Sequence, residues 1–202
     1  MNRQPYEGVL ANLDKVLTLC RDRGLDGDLS TSRFLDYRRC LERLIELSRR
    51  NAAGETITTE ALAPDDQPLY LTALVESTEI GDTADYLGTC EPNSLRPKLR
   101  DVLRGPPLPM AEDKNSNQAR NMMFELSLAA KLWSVGLPTH LGEHPDLWVE
   151  IGKRKLLIEC KRPSDRRTVK DQIGPARKQL IRQLAREVPV ECSPKFCSPG
   201  GA

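Results

Sequence analysis

Apolar side chains recur every three or four positions along the N-terminal part of the chain. In residues 6–24 this spacing predicts a helix that ends near Gly24. A second apolar stripe, which begins after Ser30 or Thr31 and fades at about Asn51, predicts another helix. Because the polar connection between them is short, we expect the two helices to form an antiparallel hairpin.

The following stretch predicts a helix at about 68–86 and a shorter helix at about 94–103. Residues 105–110 hold three prolines and a glycine, which interrupt regular structure and indicate a linker. We therefore predict a helical region of unknown role at 1–104 and a second domain at 111–202.

The pattern changes after this linker. A long apolar stripe predicts one helix at 115–135. Three short extended segments then follow at 137–141, 147–151 and 155–161, separated by turn residues. The Gly-Lys-Arg sequence at 152–154 is a suitable hairpin connection between the last two strands.

Gly174 and Pro175 suit the start of a further helix, which we expect to run to about Arg186. Residues 188–191 can form a brief final strand, although Pro189 limits its ladder hydrogen bonds. The order of helix, three strands, helix and strand predicts an α/β fold class: a small sheet preceded by a helical N-terminal region.

Composition places the chain among ordinary globular proteins, with 39% apolar and 29% charged residues among 202. No apolar run approaches the roughly 20 residues that span a bilayer, and the N-terminus lacks the apolar segment of a secretory signal. We therefore expect a cytoplasmic protein with no membrane partner, whose six cysteines are reduced thiols.

Charge is unevenly distributed along the chain, although the net charge is only +1. Residues 51–95 hold nine acidic residues and neither lysine nor arginine. Residues 153–186 hold twelve basic residues and three acidic ones. This asymmetry indicates that the C-terminal half meets a polyanion.

Glu125 breaks the local pattern, because it lies on the apolar face of its predicted helix. Counting by threes and fours from it gives the apolar residues Met122, Leu128, Ala129 and Leu132. A charge buried on such a face needs a partner or a metal ion. The alternative is an ordinary ion pair of Glu125 with Arg120 or Lys131.

A second group of charges lies at the end of the predicted third strand. Alternation places Glu159 and Lys161 on one face of that strand. Asp146 begins the neighbouring strand, and a short hairpin can bring it level with Glu159. The simpler interpretations are an exposed Glu159–Lys161 ion pair and a turn role for Asp146.

These residue types suit the hydrolysis of a phosphodiester. Mg²⁺ is commonly held by one or two carboxylates, with waters and substrate phosphate completing its shell. Asp146 and Glu159 can supply such ligands, together with the backbone carbonyl of Cys160, and Glu125 can serve a second metal. Lys161 can orient the attacking water or stabilise developing negative charge.

The sequence Pro145-Asp146, followed after twelve residues by Glu159-Cys160-Lys161, resembles the PD-(D/E)xK nuclease superfamily. The resemblance covers about residues 115–186 and includes the acid on the preceding helix. It implies a restriction-endonuclease-like αβββαβ core and cleavage of nucleic acid, DNA rather than RNA, with Mg²⁺ or Mn²⁺. It also implies a role in defence against foreign DNA or in DNA processing.

The resemblance implies catalytic roles for Glu125, Asp146, Glu159 and Lys161. Members of the superfamily often place a glutamine on the later helix, for which we choose Gln179 over Gln172. The basic residues near the site are predicted to contact nucleic acid: Lys153, Arg154, Lys155, Arg162, Arg166, Arg167, Arg177 and Lys178.

Two other functions stay open at this point. The chain can be a nuclease-like module that binds nucleic acid or protein without cutting. It can also be a subunit of a larger assembly, joined to a protein partner or to itself through the helical N-terminal region. Trp133 and Trp148 are expected in the core rather than as stacking platforms.

Overall fold

A computed structural model of the chain describes residues 6–58, 61–112, 117–142, 145–152, 154–162 and 169–187. The protein is mostly helical, with one small sheet. Its elements are α1 (Tyr6–Asp22), α2 (Asp26–Ser30), α3 (Arg33–Ala52), α4 (Gln67–Gly81), α5 (Ala84–Thr89), α6 (Pro92–Leu103), α7 (Gln118–Ser134), β1 (Thr139–Leu141), β2 (Leu147–Ile151), β3 (Arg154–Ile158) and α8 (Val169–Glu187).

The predicted N-terminal helices are confirmed as α1 and α3, but the connection between them holds the short helix α2, which the periodicity did not reveal. The prediction of a single helix at about 68–86 is wrong, because the helix is interrupted between α4 and α5. At the break the N–H of Thr83 bonds to the carbonyl of Ile80 at 3.0 Å. The Thr83 hydroxyl donates to the same carbonyl at 2.6 Å, so a tightened turn ends α4.

Residues on both sides of the 105–110 segment share one hydrophobic core. Leu13, Leu41, Ile80 and Leu99 are fully buried together with Leu126 of α7. Each such side chain contributes about 1.5–3 kcal/mol by leaving water. The predicted division at 105–110 therefore does not separate two cores, and the two-domain organisation stays a prediction.

The 105–110 segment is held against the helices by buried donors. Arg120 of α7 donates to the carbonyls of Pro106 and Pro107, each at 3.1 Å. The Tyr37 hydroxyl donates to the Pro107 carbonyl at 2.5 Å. A stretch that breaks regular structure thus satisfies buried polar groups of α3 and α7.

The sheet is antiparallel in the order β1-β2-β3. Gly152, at φ +61°, lies in the predicted hairpin, where Ile151 pairs with Arg154. The third strand ends at Ile158 rather than at Lys161 as predicted. Beyond the Leu147–Ile158 pair, the N–H of Cys160 bonds to the carboxylate of Asp146 instead of a β2 backbone carbonyl.

The helix α7 is confirmed, while α8 begins at Val169, not at the predicted Gly174-Pro175 start, and contains Pro175 in its interior. Asp171 lies in the first turn of α8, where an acid is favourable. The order helix, three strands, helix is present. The predicted strand at 188–191 lies outside the described residues, and no described helix has the length and hydropathy to cross a bilayer.

Candidate functional site

A cleft of about 270 Å³ opens between the N-terminal half of α7 and the residues that follow β3. It brings together three of the predicted site residues, Glu125, Asp146 and Lys161, with Cys160 beside them. We call it the carboxylate cleft. Its remaining wall is mostly polar and consists of Asn117, Gln118, Asn121, Met122, Arg162 and Gln172.

Glu125 is buried on α7, as the apolar face predicted, but its partner was not foreseen. The ammonium group of Lys98 on α6 lies 3.2 Å from the Glu125 carboxylate, and both side chains are 11% exposed. Burial raises the pKa of Glu125, opposed by Lys98 and Lys161 and increased by the charge of Asp146. The alternative pairing with Arg120 is wrong, since Arg120 binds Glu76 and Glu112.

Asp146 connects the ends of β2 and β3 through its side chain. Its Oδ2 accepts a hydrogen bond from the backbone N–H of Cys160 at 2.6 Å. The preceding Pro145 has no N–H to offer to a ladder, so pairing of the strands gives way here to a side-chain contact. This contact holds the Glu159-Cys160-Lys161 segment against the start of β2.

Glu159 and Lys161 form an ion pair at 2.5 Å, but the two side chains are in different environments. Glu159 is 1% exposed and Lys161 is 29% exposed. The Oε2 atom of Glu159 is buried and has no hydrogen-bond partner among the described residues. With these exposures the ion pair is half-buried, not the exposed pair of the simpler interpretation. Lys161 lines the cleft, whereas Glu159 does not.

Cys160 lies among all three acids. The pKa of its thiol is raised to about 12, first by burial and then by the charges of Asp146, Glu125 and Glu159. Lys161 opposes this shift. The thiol is therefore protonated and unreactive at neutral pH, and the four charged groups named in the sequence analysis surround a single residue.

The cleft wall offers Mg²⁺ two carboxylates, those of Glu125 and Asp146. No described group of three or more His, Cys, Asp or Glu side chains is placed to hold a metal ion. Mg²⁺ needs one or two carboxylates when waters and phosphate complete its shell. Asp146 lines the cleft and is an oxygen donor of that type, whereas the unpartnered Oε2 of Glu159 is buried outside the cleft wall.

The two glutamines of α8 lie at different distances from the carboxylate cleft along the helix. Gln172 lines the carboxylate cleft, whereas Gln179 does not. Because α8 begins at Val169, Gln172 is already in its first turn, and Gln179 lies about two turns further along. The sequence argument placed Gln172 before the helix, and the choice of Gln179 stays a prediction.

The predicted nucleic-acid contacts are partly described. Arg154, Lys155, Arg177 and Lys178 are exposed. Arg162 lines the cleft and lies 3.5 Å from Glu112. Lys153, Arg166 and Arg167 lie outside the described residues.

The two tryptophans do not belong to the buried core, contrary to the prediction. Trp133 is 37% exposed at the end of α7. Trp148 of β2 is half-buried, with the His140 ring stacked on it at 3.8 Å. Alternation along β2 could have predicted the partial exposure of Trp148, because it places this residue on the face opposite the buried Leu147 and Val149.

Comparison with protein-family models, with curated proteins and with solved structures gives no match. The chemistry of the carboxylate cleft is therefore argued from its own residues. Cys160 and the other described cysteines, Cys20, Cys40 and Cys90, are free thiols and form no disulfide with each other.

Proposed function

We propose that the protein is a Mg²⁺- or Mn²⁺-dependent nuclease with its active site at the carboxylate cleft. The observation that carries the proposal is the placement of Glu125, Asp146, Glu159 and Lys161 around Cys160. Local packing does not require this grouping of acids, because buried carboxylates are costly unless they are paired or bind a cation. The helix, three strands and helix from α7 to α8 support a restriction-endonuclease-like core.

Charge in the cleft supports the binding of a cation. Three carboxylates, Glu125, Asp146 and Glu159, face the ammonium groups of Lys98 and Lys161. The remaining cation of the cleft wall, Arg162, lies 3.5 Å from Glu112. A bound Mg²⁺ would neutralise phosphate charge and polarise the scissile bond. Asp146 and Glu159 are the residues that would hold it.

The remaining chemistry is assigned to side chains of the cleft. A water oxygen forms the new bond to phosphorus, and the ester P–O bond breaks with its electron pair on the leaving oxygen, which takes a proton from solvent. The raised pKa of Glu125 makes it a better proton acceptor than a free carboxylate, so it takes the proton that the water loses. Lys161 donates to a phosphate oxygen as its charge grows.

The exposed bases near the cleft support a polyanionic substrate. Arg154 and Lys155 on β3 and Arg177 and Lys178 on α8 can contact phosphates. Such contacts position a nucleic acid without reading its sequence. DNA is the substrate that we propose, in agreement with the expectation from the sequence.

A second candidate function is binding of nucleic acid without cleavage. Two observations favour it. Lys98 and Lys161 already pair with Glu125 and Glu159, and no described group of three or more ligands is placed for a metal. In that case the ion pairs hold the cleft together and the basic residues bind phosphate.

Cleavage of plasmid DNA and of single-stranded DNA with added Mg²⁺ or Mn²⁺ distinguishes the two candidates. The nuclease predicts cleavage that a chelator abolishes and that Lys161→Met or Asp146→Asn reduces by about 10²–10³-fold. Lys131→Met is the matched control, because Lys131 is an exposed lysine of α7 outside the cleft. DNA binding by the inactive variants, measured by gel shift, should persist.

The Lys161 variant needs a control for folding, because it leaves the buried Glu159 without its partner. The double variant Glu159→Gln, Lys161→Met removes both charges and should unfold at nearly the wild-type temperature. If that protein is folded and still cleaves DNA, the assignment of the active site to the carboxylate cleft is wrong. If the wild type binds DNA and never cuts it with either metal, the second candidate replaces the first.

A further inference from the structure

A second cavity, of about 570 Å³, lies between α5, the end of α7 and β1. Four aromatic side chains line it: Tyr86, Trp133, His140 and Trp148. We call it the aromatic cavity. The proposed cleavage chemistry uses none of these rings. Tyr86 belongs to the hydrophobic core, whereas Trp133, His140 and Trp148 do not, and the volume of the cavity is in the range of ligand pockets.

The rings stand in two pairs. His140 and Trp148, which are opposite each other in the β1–β2 register, stack at 3.8 Å with 11° between their planes. Tyr86 and Trp133 lie 6.0 Å apart at 48°. Trp133 keeps 37% of its surface exposed, so part of this large ring is accessible to a ligand.

Polar groups surround the aromatic walls. Thr89, Glu91 and Ser94 line the cavity beside the rings. The two hydroxyl groups donate to backbone carbonyls of α5 and its flank, at 2.7 Å for Thr89 and 3.0 Å for Ser94, so their oxygens remain able to accept. A ligand for this cavity therefore has flat faces and hydrogen-bonding edges.

The aromatic cavity continues into the carboxylate cleft. Ser94 and Leu141 line both the aromatic cavity and an intermediate groove of about 620 Å³. That groove also reaches Glu125 and Asp146, which belong to the carboxylate cleft. One strand of a polymer can therefore reach from one site to the other along the surface.

A neutral ring suits the cavity better than a cation. The ammonium group of Lys155 lies 4.3 Å from the centre of the Trp148 ring, where it would repel a second positive charge. The same group can contact the phosphate attached to a bound nucleoside. Flat aromatic walls, polar edges and a neighbouring cation together match a nucleotide.

We propose that the aromatic cavity binds an unpaired base of single-stranded nucleic acid, with Trp133 as the stacking surface, while the same strand extends towards the carboxylate cleft. The identification of the ligand as nucleic acid rests on the proposed function. A base inside a duplex is already stacked and cannot enter the cavity. The substrate is therefore a single strand or a duplex with an unpaired segment.

Tryptophan fluorescence tests this directly, because the chain has two tryptophans and both line the cavity. The probe is a short oligodeoxythymidylate, titrated into the full chain in the presence of EDTA so that no cleavage occurs. We expect saturable quenching by the single strand and little quenching by a blunt duplex of equal length. Equal quenching by the duplex, or none by the single strand, overturns the proposal.

Two variants locate the bound base. Trp133→Leu keeps Trp148 as the reporter and should weaken binding of the single strand about tenfold, since stacking of one base contributes on that order. Trp133→Phe retains an aromatic face and should restore most of the affinity. Val135→Ala is the matched control, because Val135 is a 73% exposed apolar residue near the end of α7 and does not line the cavity.

Normal binding by a folded Trp133→Leu protein would show that the base is bound elsewhere. If Trp133→Leu does not fold, the comparison of quenching by the single strand and by the duplex carries the test on the wild type. Failure of the nuclease proposal is recognised separately: quenching by the single strand without cleavage in Mn²⁺ retains the base-binding cavity and removes the enzyme. Cleavage of single-stranded DNA without quenching retains the nuclease and removes the base-binding cavity.

Discussion

Two clusters of charged residues involve the same helix, α7. One is closed to solvent and the other is open to it. Arg120 belongs to a buried cluster in which both oxygens of Glu76 accept, one from Arg120 at 2.5 Å and one from Arg33 at 3.0 Å. Glu125, five positions later, belongs to the carboxylate cleft, which is open to solvent on one side.

The difference lies in what each cluster does with its charge. In the Arg120 cluster the Glu76 side chain is 6% exposed and the two arginine side chains are 0% and 3% exposed, so these charges are shielded from solvent. Only Nη2 of Arg33 is without a hydrogen-bond partner there among the described residues. Beside the carboxylate cleft Glu159 has a buried oxygen without a hydrogen-bond partner among the described residues, and its partner Lys161 reaches the opening. Buried charges that satisfy one another stabilise the fold, whereas charges held at an opening remain available to a ligand.

The largest effect is expected from the closed cluster. Glu76→Gln leaves two buried guanidinium groups facing a neutral side chain, so we expect the free energy of unfolding to fall by about 3–5 kcal/mol. Glu79→Gln on the same helix is the control and should change it by less than about 0.5 kcal/mol. Urea denaturation measures both. An equal, small effect of the two substitutions would remove the distinction between the clusters.

A smaller effect is expected from Asp146. Asp146→Ala removes a charge-assisted hydrogen bond to the Cys160 N–H and should lower the free energy of unfolding by about 1.5–3 kcal/mol. Asp146→Asn keeps an acceptor and should be less destabilising. Glu150→Ala, an exposed acid on the same strand, is the control. If the alanine variant is as stable as this control, Asp146 does not hold the end of β3.

The pH dependence of Glu125 gives a still smaller effect with a defined sign. Its pKa is raised above 4.5 in the folded protein, so the folded state binds its proton more tightly than the unfolded state does. This contribution to stability is complete below the ordinary carboxyl pKa and is lost as pH rises through the raised pKa. The unfolding free energy of wild type minus that of Glu125→Gln should therefore decrease as pH rises above 4.5.

The measurement is a series of urea denaturations of both proteins across this pH range. The charges that face Glu125 from other elements are Lys98, Asp146 and Lys161. An increase of the difference with pH would mean that Lys98 outweighs burial and that the pKa of Glu125 is lowered.

The smallest effect is expected from an exposed ion pair that belongs to neither cluster. Arg39 and Asp36 pair at 2.5 Å on α3, with the arginine side chain 74% exposed. Arg39→Ala should lower the free energy of unfolding by no more than about 0.5 kcal/mol, because solvent screens the pair. The same denaturation assay gives this reference value. A loss comparable to that of Glu76→Gln would show that burial does not set the ranking.

Local sequence patterns determined most of the helices and the central hairpin. The apolar stripe around Leu13 and the Gly152 turn could be recognised because periodicity and turn chemistry depend on near neighbours in the chain. The same applies to the burial of Glu125 on α7 and to the nearness of Asp146 and Lys161, which the hairpin brings together. The bounds of β3 and α8 were wrong because a side-chain contact and an internal proline decided them.

Only the tertiary structure decided which partners these residues meet. Lys98 lies 27 positions from Glu125 in a helix that no local pattern connects to it, and it replaced the nearer candidates Arg120 and Lys131. Packing of α6 against α7 places the two charges together, and packing at the edge of the sheet opens the cavity around Trp133. Such pairings depend on how elements are arranged in space, which the periodicity of a single element does not encode.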